Sequence, residues 1–362
     1  MNNPSTKSLF SGRVFRNAGC HLLLIAGFII YQQPASAQQP AAAADKIHIG
    51  LVYPLSSNGS HAARDTNRFS LNLIAGVSAS EKGPAIAGLS NIIHKNATGV
   101  TIAGFSNHIY QQAGGVLIAG FLNNYNRGKG TAIAGFMNNS GDMNGVEFVG
   151  FLNISKNMEG FQMAGFANIA RDVKGTQVSG FMNIARKVTG AQIAGFINIA
   201  DESDLPIGII NIIKNGEKSL GVTINEDATL MLSFRSGGKI LYGIIGAGYN
   251  LKNDKEVYAL EAGFGAHLMQ TGLFRLNTEL VASGLQSFHK GDYFKTSFRL
   301  MPAIKLSKSI ELFGGPSLNY VSTDTAEGYE LNKKYLHKFS SESNRDYQVL
   351  KIGYTAGLQV IF

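Results

Sequence analysis

The sequence predicts an all-β chain: an antiparallel meander closing into an outer-membrane β-barrel of about 18 strands. Three observations carry this reading. A Gly-rich fifteen-residue repeat fills the middle of the chain, apolar and polar residues alternate with period two through the C-terminal third, and a short apolar run behind basic residues opens it. Composition agrees: 43 of the 362 residues are Gly and only 15% are charged, against about a quarter in a soluble domain. Cys20 is the only Cys, which excludes a disulfide scaffold and a structural zinc protein.

Residues 1–37 read as a secretory signal peptide. Lys7, Arg13 and Arg16 precede the apolar run Leu22 to Ile30, and Ala35-Ser36-Ala37 fits a small-residue cleavage site. The run of about ten residues is half of what a membrane-spanning helix needs. Cys20 precedes the apolar core instead of following it, so lipid attachment is set aside. Without this segment 29 of the 32 basic residues remain against 24 acidic ones, and the net charge falls from +8 to about +5. A nucleic-acid partner thereby loses its support. Residues 38–70 read as an N-terminal strand and loop.

The repeat occupies residues 71–213. Its clearest copies begin at Gly160, Gly175 and Gly190. One Gly column runs Gly88, Gly104, Gly120, Gly135, Gly150, Gly165, Gly180 and Gly195, and a second lies five residues earlier in each copy. An Asn column follows three residues later: Asn91, Asn107, Asn123, Asn138, Asn153, Asn168, Asn183 and Asn198. Gly this frequent costs about 1 kcal/mol per position in a helix, so the unit is β.

Two sheet geometries compete. In a meander each copy is one strand. Placing Gly180 opposite Gly195 then faces Gln177 with Asn198, Asn183 with Gln192, Phe181 with Ala194 and Val178 with Ile197. Amide meets amide and large meets small, as cross-strand pairs should. The alternative is a solenoid, each copy stacked in parallel on the last, attached to an eight-stranded barrel. The meander is preferred because Val178, Met182 and Ile184 give one side an aliphatic face, and neither side is polar enough for a soluble solenoid.

Residues 214–362 read as barrel strands. Tyr258, Leu260, Ala262, Phe264, Ala266 and Leu268 alternate with Glu261, Gly263, Gly265 and His267, and the pattern recurs over 273–283 and 293–306. Apolar-out, polar-in alternation marks a transmembrane barrel. The inward set is Glu261, His267, Arg275, Glu279, Lys295, Arg299 and Glu311. Connections alternate tight and longer, which sets the 323–346 loop outside and the tight turns in the periplasm. The last strand resembles the terminal signal strand of bacterial outer-membrane barrels, with Gly357, Val360 and Phe362 in the expected places. That resemblance implies recognition by the barrel assembly machinery, and the lipid of the outer membrane as surroundings.

The G-x-x-I-A-G-F-x-N units, with the openings Ile47 to Pro54 and Phe69 to Gly76, resemble the bacterial surface repeat of secreted spirochaete lipoproteins and longer Bacteroidetes-type proteins. The resemblance covers roughly 140 residues and implies no particular activity.

Chemistry-bearing motifs are absent. His48, His61, His94, His108, His267, His289 and His337 form no metal-ligand spacing, and no G-x-S-x-G occurs. The expectation is therefore a non-catalytic outer-membrane protein without cofactor or metal, either a weakly selective channel or a repeat surface for adhesion. The competing class is a small lipid-directed enzyme using His267 and Glu279 as acid and base. The bland reading of the inward set is an internal salt-bridge network.

Overall fold

The computed structural model describes residues 46–287, 292–339 and 347–362. The signal-peptide segment lies outside the described residues. From Thr66 to Ile213 the repeats form a parallel β-solenoid of about ten coils, and an eight-stranded antiparallel barrel follows. The 18-strand meander is overturned, and the solenoid with a separate barrel takes its place.

Register makes the correction concrete. Gln177 lies beside Gln192 and Asn183 beside Asn198, each pair in parallel. The same fifteen-residue offset holds from Leu122 through Ala164. Each copy bends three times, at two Gly positions and at a charged segment such as Arg186, where the strand breaks between Ile184 and Lys187, so the chain returns to its starting point instead of reversing at a hairpin.

The two Gly columns are two of these bends. Gly175 has φ of 135°, a conformation that L side chains rarely adopt. At the other corner a Cβ on Gly165 would overlap the carbonyl oxygen of Gly150 in the coil before. After that corner the chain exposes a Phe, so Phe181 points outward although Gln177, Ser179 and Asn183 point in.

The Asn column carries the coil. Asn168 donates one N–H to Asn183 Oδ1 (2.9 Å) and another across the coil to the Val178 carbonyl (2.7 Å), and accepts from Asn153 (2.8 Å). Both donors and the acceptor are thereby satisfied. The pattern continues from Asn91 to Asn211. Remaining inward positions hold Ile93, Ile109, Tyr125, Met143, Met158, Val173 and Val188. The strand Lys46–Val52 covers the first coil, pairing in parallel with Thr66–Ser78.

The barrel strands are β1 (Lys218–Asn225), β2 (Thr229–Gly237), β3 (Leu241–Asn250), β4 (Tyr258–Gln270), β5 (Phe274–Gln286), β6 (Tyr293–Lys305), β7 (Ile310–Thr323) and β8 (Tyr347–Ile361). β8 closes the ring between β7 and β1. Gly357 sits in that seam opposite Thr223 and Phe313, Val360 faces outward, and the Phe362 amide donates to the Lys218 carbonyl. The turns 238–240, 271–273 and 306–309 share one end with Phe362. The opposite end carries 251–257 and the described parts of the β5–β6 and β7–β8 connections, the last holding a short helix, Ala326–Leu331, capped by Thr325.

Asn168→Ala strands two acceptors and one donor in the solenoid interior, which costs about 1–3 kcal/mol per unsatisfied group. Gly165→Val adds a backbone overlap and costs more. Urea denaturation of the refolded full chain, followed by circular dichroism, will show both midpoints lowered, with Thr189→Ala within about 0.5 kcal/mol of the parent.

Candidate functional site

Three polar features compete as the functional site: amide and carboxylate columns inside the solenoid, an ion-pair network inside the barrel, and a charged groove along one solenoid edge.

Inside the solenoid a Gln column runs against the Asn column. Gln192 donates to Gln177 (3.1 Å), Gln177 to Gln162 (2.9 Å), and Gln162 to Glu147 (2.6 Å). Tyr125 Oη (2.6 Å) and Ser155 Oγ (2.9 Å) also donate to Glu147. Glu147 is the only acid in that column, so it supplies the acceptor on which the amide chain ends. Burial, with Glu147 beside it, pushes the Tyr125 phenol well above its ordinary range. In the first coil Glu81 is buried and accepts from Asn67 (2.9 Å) and Ser70 (2.8 Å). Burial pushes its carboxyl up, more than these hydrogen bonds pull it down.

The barrel lumen gathers the whole inward set, in three groups. Near the long-loop end Lys295 and Lys351 share Asp227, at 2.9 and 2.6 Å, with Glu226 within 3.6 Å of both. At mid-height Arg299 meets Glu261 (3.0 Å) and Glu279 (3.5 Å), and Arg235 meets Glu279 (2.8 Å). Near the short-turn end Arg275 grips Glu217 through two nitrogens and lies 3.5 Å from Glu311, which accepts from Gln359 (2.7 Å). His267 shares a 2.6 Å hydrogen bond with Asn277 Oδ1 and stacks on Tyr242.

Alternation along single strands finds the inward residues within strands. It misses Glu217, Glu226 and Asp227, which sit at strand ends, and Arg235 and Lys351, whose strands have weaker patterns. Glu147 and Glu81 also escape it, because the repeat hides which column faces inward.

This network is built for mutual neutralisation. Two lumen voids, of about 10 and 20 Å³, each have room for about one water. The premise of a wide aqueous lumen belonged to the larger barrel and goes with it. His267 and Glu279 do not form a pair: His267 is held by Asn277, and Glu279 lies between two arginines. Among the described residues no group of three or more His, Cys, Asp or Glu is placed to hold a metal ion.

The groove, about 670 Å³, runs along the solenoid edge opposite the Phe residues. Met143, Met158 and Val173 line it beside Arg127, Asp142, Glu159, Lys174 and Lys187. Its charges pair from coil to coil: Lys174 with Glu159 (2.8 Å), Lys187 with Glu202 (2.9 Å), and Arg186 with Asp172. The signs alternate, so the groove presents no single-sign field to a charged ligand.

Comparison with protein-family models, with curated proteins and with solved structures finds no match for this chain. The architecture defines the class, a repeat β-solenoid joined to a small closed barrel.

The raised Glu81 carboxyl makes a signed prediction. Between the ordinary value of 4.5 and its raised folded value, the folded state binds more protons, so stability falls as pH rises through that window. Glu81→Gln removes this loss. In urea titrations across that window and above it, the variant's stability relative to the parent will rise with pH and then level off.

Proposed function

We propose that this is a non-catalytic outer-membrane protein whose barrel is a plugged anchor and whose solenoid is the working surface. One observation carries the reading: the barrel encloses its charged residues, among apolar ones such as Ile244, Val281 and Val321, and is apolar outside. Val222, Leu232, Leu260, Leu280, Phe298, Leu318, Ile352 and Leu358 all stand exposed, drawn from seven of the eight strands. Arg235, Glu261, Arg275, Glu279, Lys295, Arg299, Glu311 and Lys351 are buried. Water outside would penalise the apolar exterior, whereas lipid favours it, and the interior charges pair with each other. Strands of 13–15 residues on β4 to β8 are long enough for a tilted crossing.

Orientation follows from the turns. The short turns and the last solenoid coil share one barrel end, and outer-membrane barrels keep short turns in the periplasm. The solenoid is then periplasmic and the segment with the Ala326–Leu331 helix external, which places the repeats away from the cell surface. With the lumen filled by ion pairs, the barrel is an anchor and not a channel.

Two measurements test this. Cys20 is the only native Cys and falls in the expected leader, so single introduced thiols report position cleanly. An impermeant maleimide will label Lys333→Cys on intact cells and Lys187→Cys only after the outer membrane is opened. Labelling of Lys187→Cys on intact cells overturns the orientation. In planar bilayers the refolded protein will show no steps of conductance; sustained open steps overturn the plugged anchor.

A further inference from the structure

The geometry points to the solenoid lying along the membrane surface beside the barrel, its Phe edge set into the lipid of the periplasmic leaflet. This rests on the reading of the barrel as lipid-embedded. Rings from Phe105 to Phe196 stack from coil to coil at 4.7–5.3 Å. Phe121, Phe151, Phe166 and Phe181 each expose 38–41% of their surface. The rows on either side hold residues such as Ile133 and Met163, or Met137 and Leu152, and no charge. At about 4.8 Å per coil the strip runs about 30 Å, a contiguous apolar surface of the kind that marks an interaction site. The charged turns occupy the opposite edge.

The junction with the barrel sets the direction of this strip. Ser236 on β2 and Gly243 on β3 face outward from the barrel yet are buried, because the last coil covers them. The Asn211 amide donates to Ser236 Oγ (2.9 Å) and its side chain to the Ser236 carbonyl (3.1 Å). The carbonyls of Gly208 and Ile209 fill the space in front of Gly243. In a parallel solenoid the backbone carbonyls lie along the stacking axis. That axis therefore leaves the barrel wall sideways, in the plane a bilayer would occupy.

The same hairpin fixes the rotation. At its tip Gly238 meets Asp204 and Pro206. Further up the barrel, Gly243 meets Gly208 and Ile209, and Ile209 continues the Phe row, since Ile210 pairs with Ile197. The Phe edge thus faces the level of the barrel's apolar band and the charged edge faces away from it. Apolar against lipid and charged toward water is the arrangement of an interfacial element. From Leu122 to Ile197 the rows interchange Ile, Val, Leu, Met, Ala and Phe and offer no hydrogen-bonding side chain. A fluid acyl surface asks only for apolarity, whereas a protein partner would select shape.

The chain has no Trp, so single introduced tryptophans report location. Phe151→Trp (Phe edge), Thr189→Trp (charged edge) and Leu280→Trp (barrel exterior) would be made in the full chain and refolded into phosphatidylcholine vesicles with or without brominated acyl chains. Brominated lipid should lower the emission of Phe151→Trp and Leu280→Trp roughly two-fold or more and leave Thr189→Trp unchanged. Quenching of Leu280→Trp alone overturns the inference and leaves the barrel reading intact, and a blue-shifted but unquenched Phe151→Trp then marks a second protein on the edge. Equal quenching of all three overturns the stated rotation. No quenching of any of them overturns the barrel reading and this inference with it.

Discussion

Polar side chains point inward in both halves of this chain, and each must be answered by another polar group, since burial leaves it no water to bond. In the solenoid the answer is repetition. Asn168 is satisfied because Asn153 and Asn183 sit one coil away on either side. In the barrel the answer is opposite charge, with Asp227 between two lysines and Glu279 between two arginines. Buried ion pairs of this kind add little stability over an apolar filling, but removing one partner is costly. The lumen is thus committed to holding its charges together, which suits an anchor better than a pathway.

The two halves also solve each other's edge problem. A parallel stack ends in unpaired backbone groups that invite association with other chains. At the first coil the strand Lys46–Val52 covers them. At the last coil the β2–β3 hairpin does so, with Ser236 taking the place of the next Asn in the column. The barrel is closed and has no free edge in its ring. The solenoid end is therefore fixed to the barrel by the same hydrogen-bond logic that joins coil to coil, and the orientation of its faces relative to the barrel wall becomes a property of the fold.

Much of this was legible in the residues. The fifteen-residue period, the two Gly columns and the Asn column follow from spacing alone. So does the inward placement of Glu261, His267, Arg275, Glu279, Lys295, Arg299 and Glu311. The fifteen-residue unit is ambiguous in one respect: Gln177 opposite Asn198 in a meander satisfies an amide as well as Gln177 beside Gln192 in a coil. Pairwise complementarity could not separate the two. The corners separate them, because a chain that bends at Gly175, at Gly180 and again at Arg186 returns on itself after fifteen residues.

Periodicity along the chain determined by itself which residues share a face, because alternation and repeat spacing are local properties of the backbone. Only the tertiary structure decided whether like residues stack in parallel, how many strands close the barrel, and which cations answer Glu217, Glu226 and Asp227. Those outcomes depend on where the chain closes on itself, and closure is set by contacts among residues far apart in sequence, such as β8 with β1 and Asn211 with Ser236.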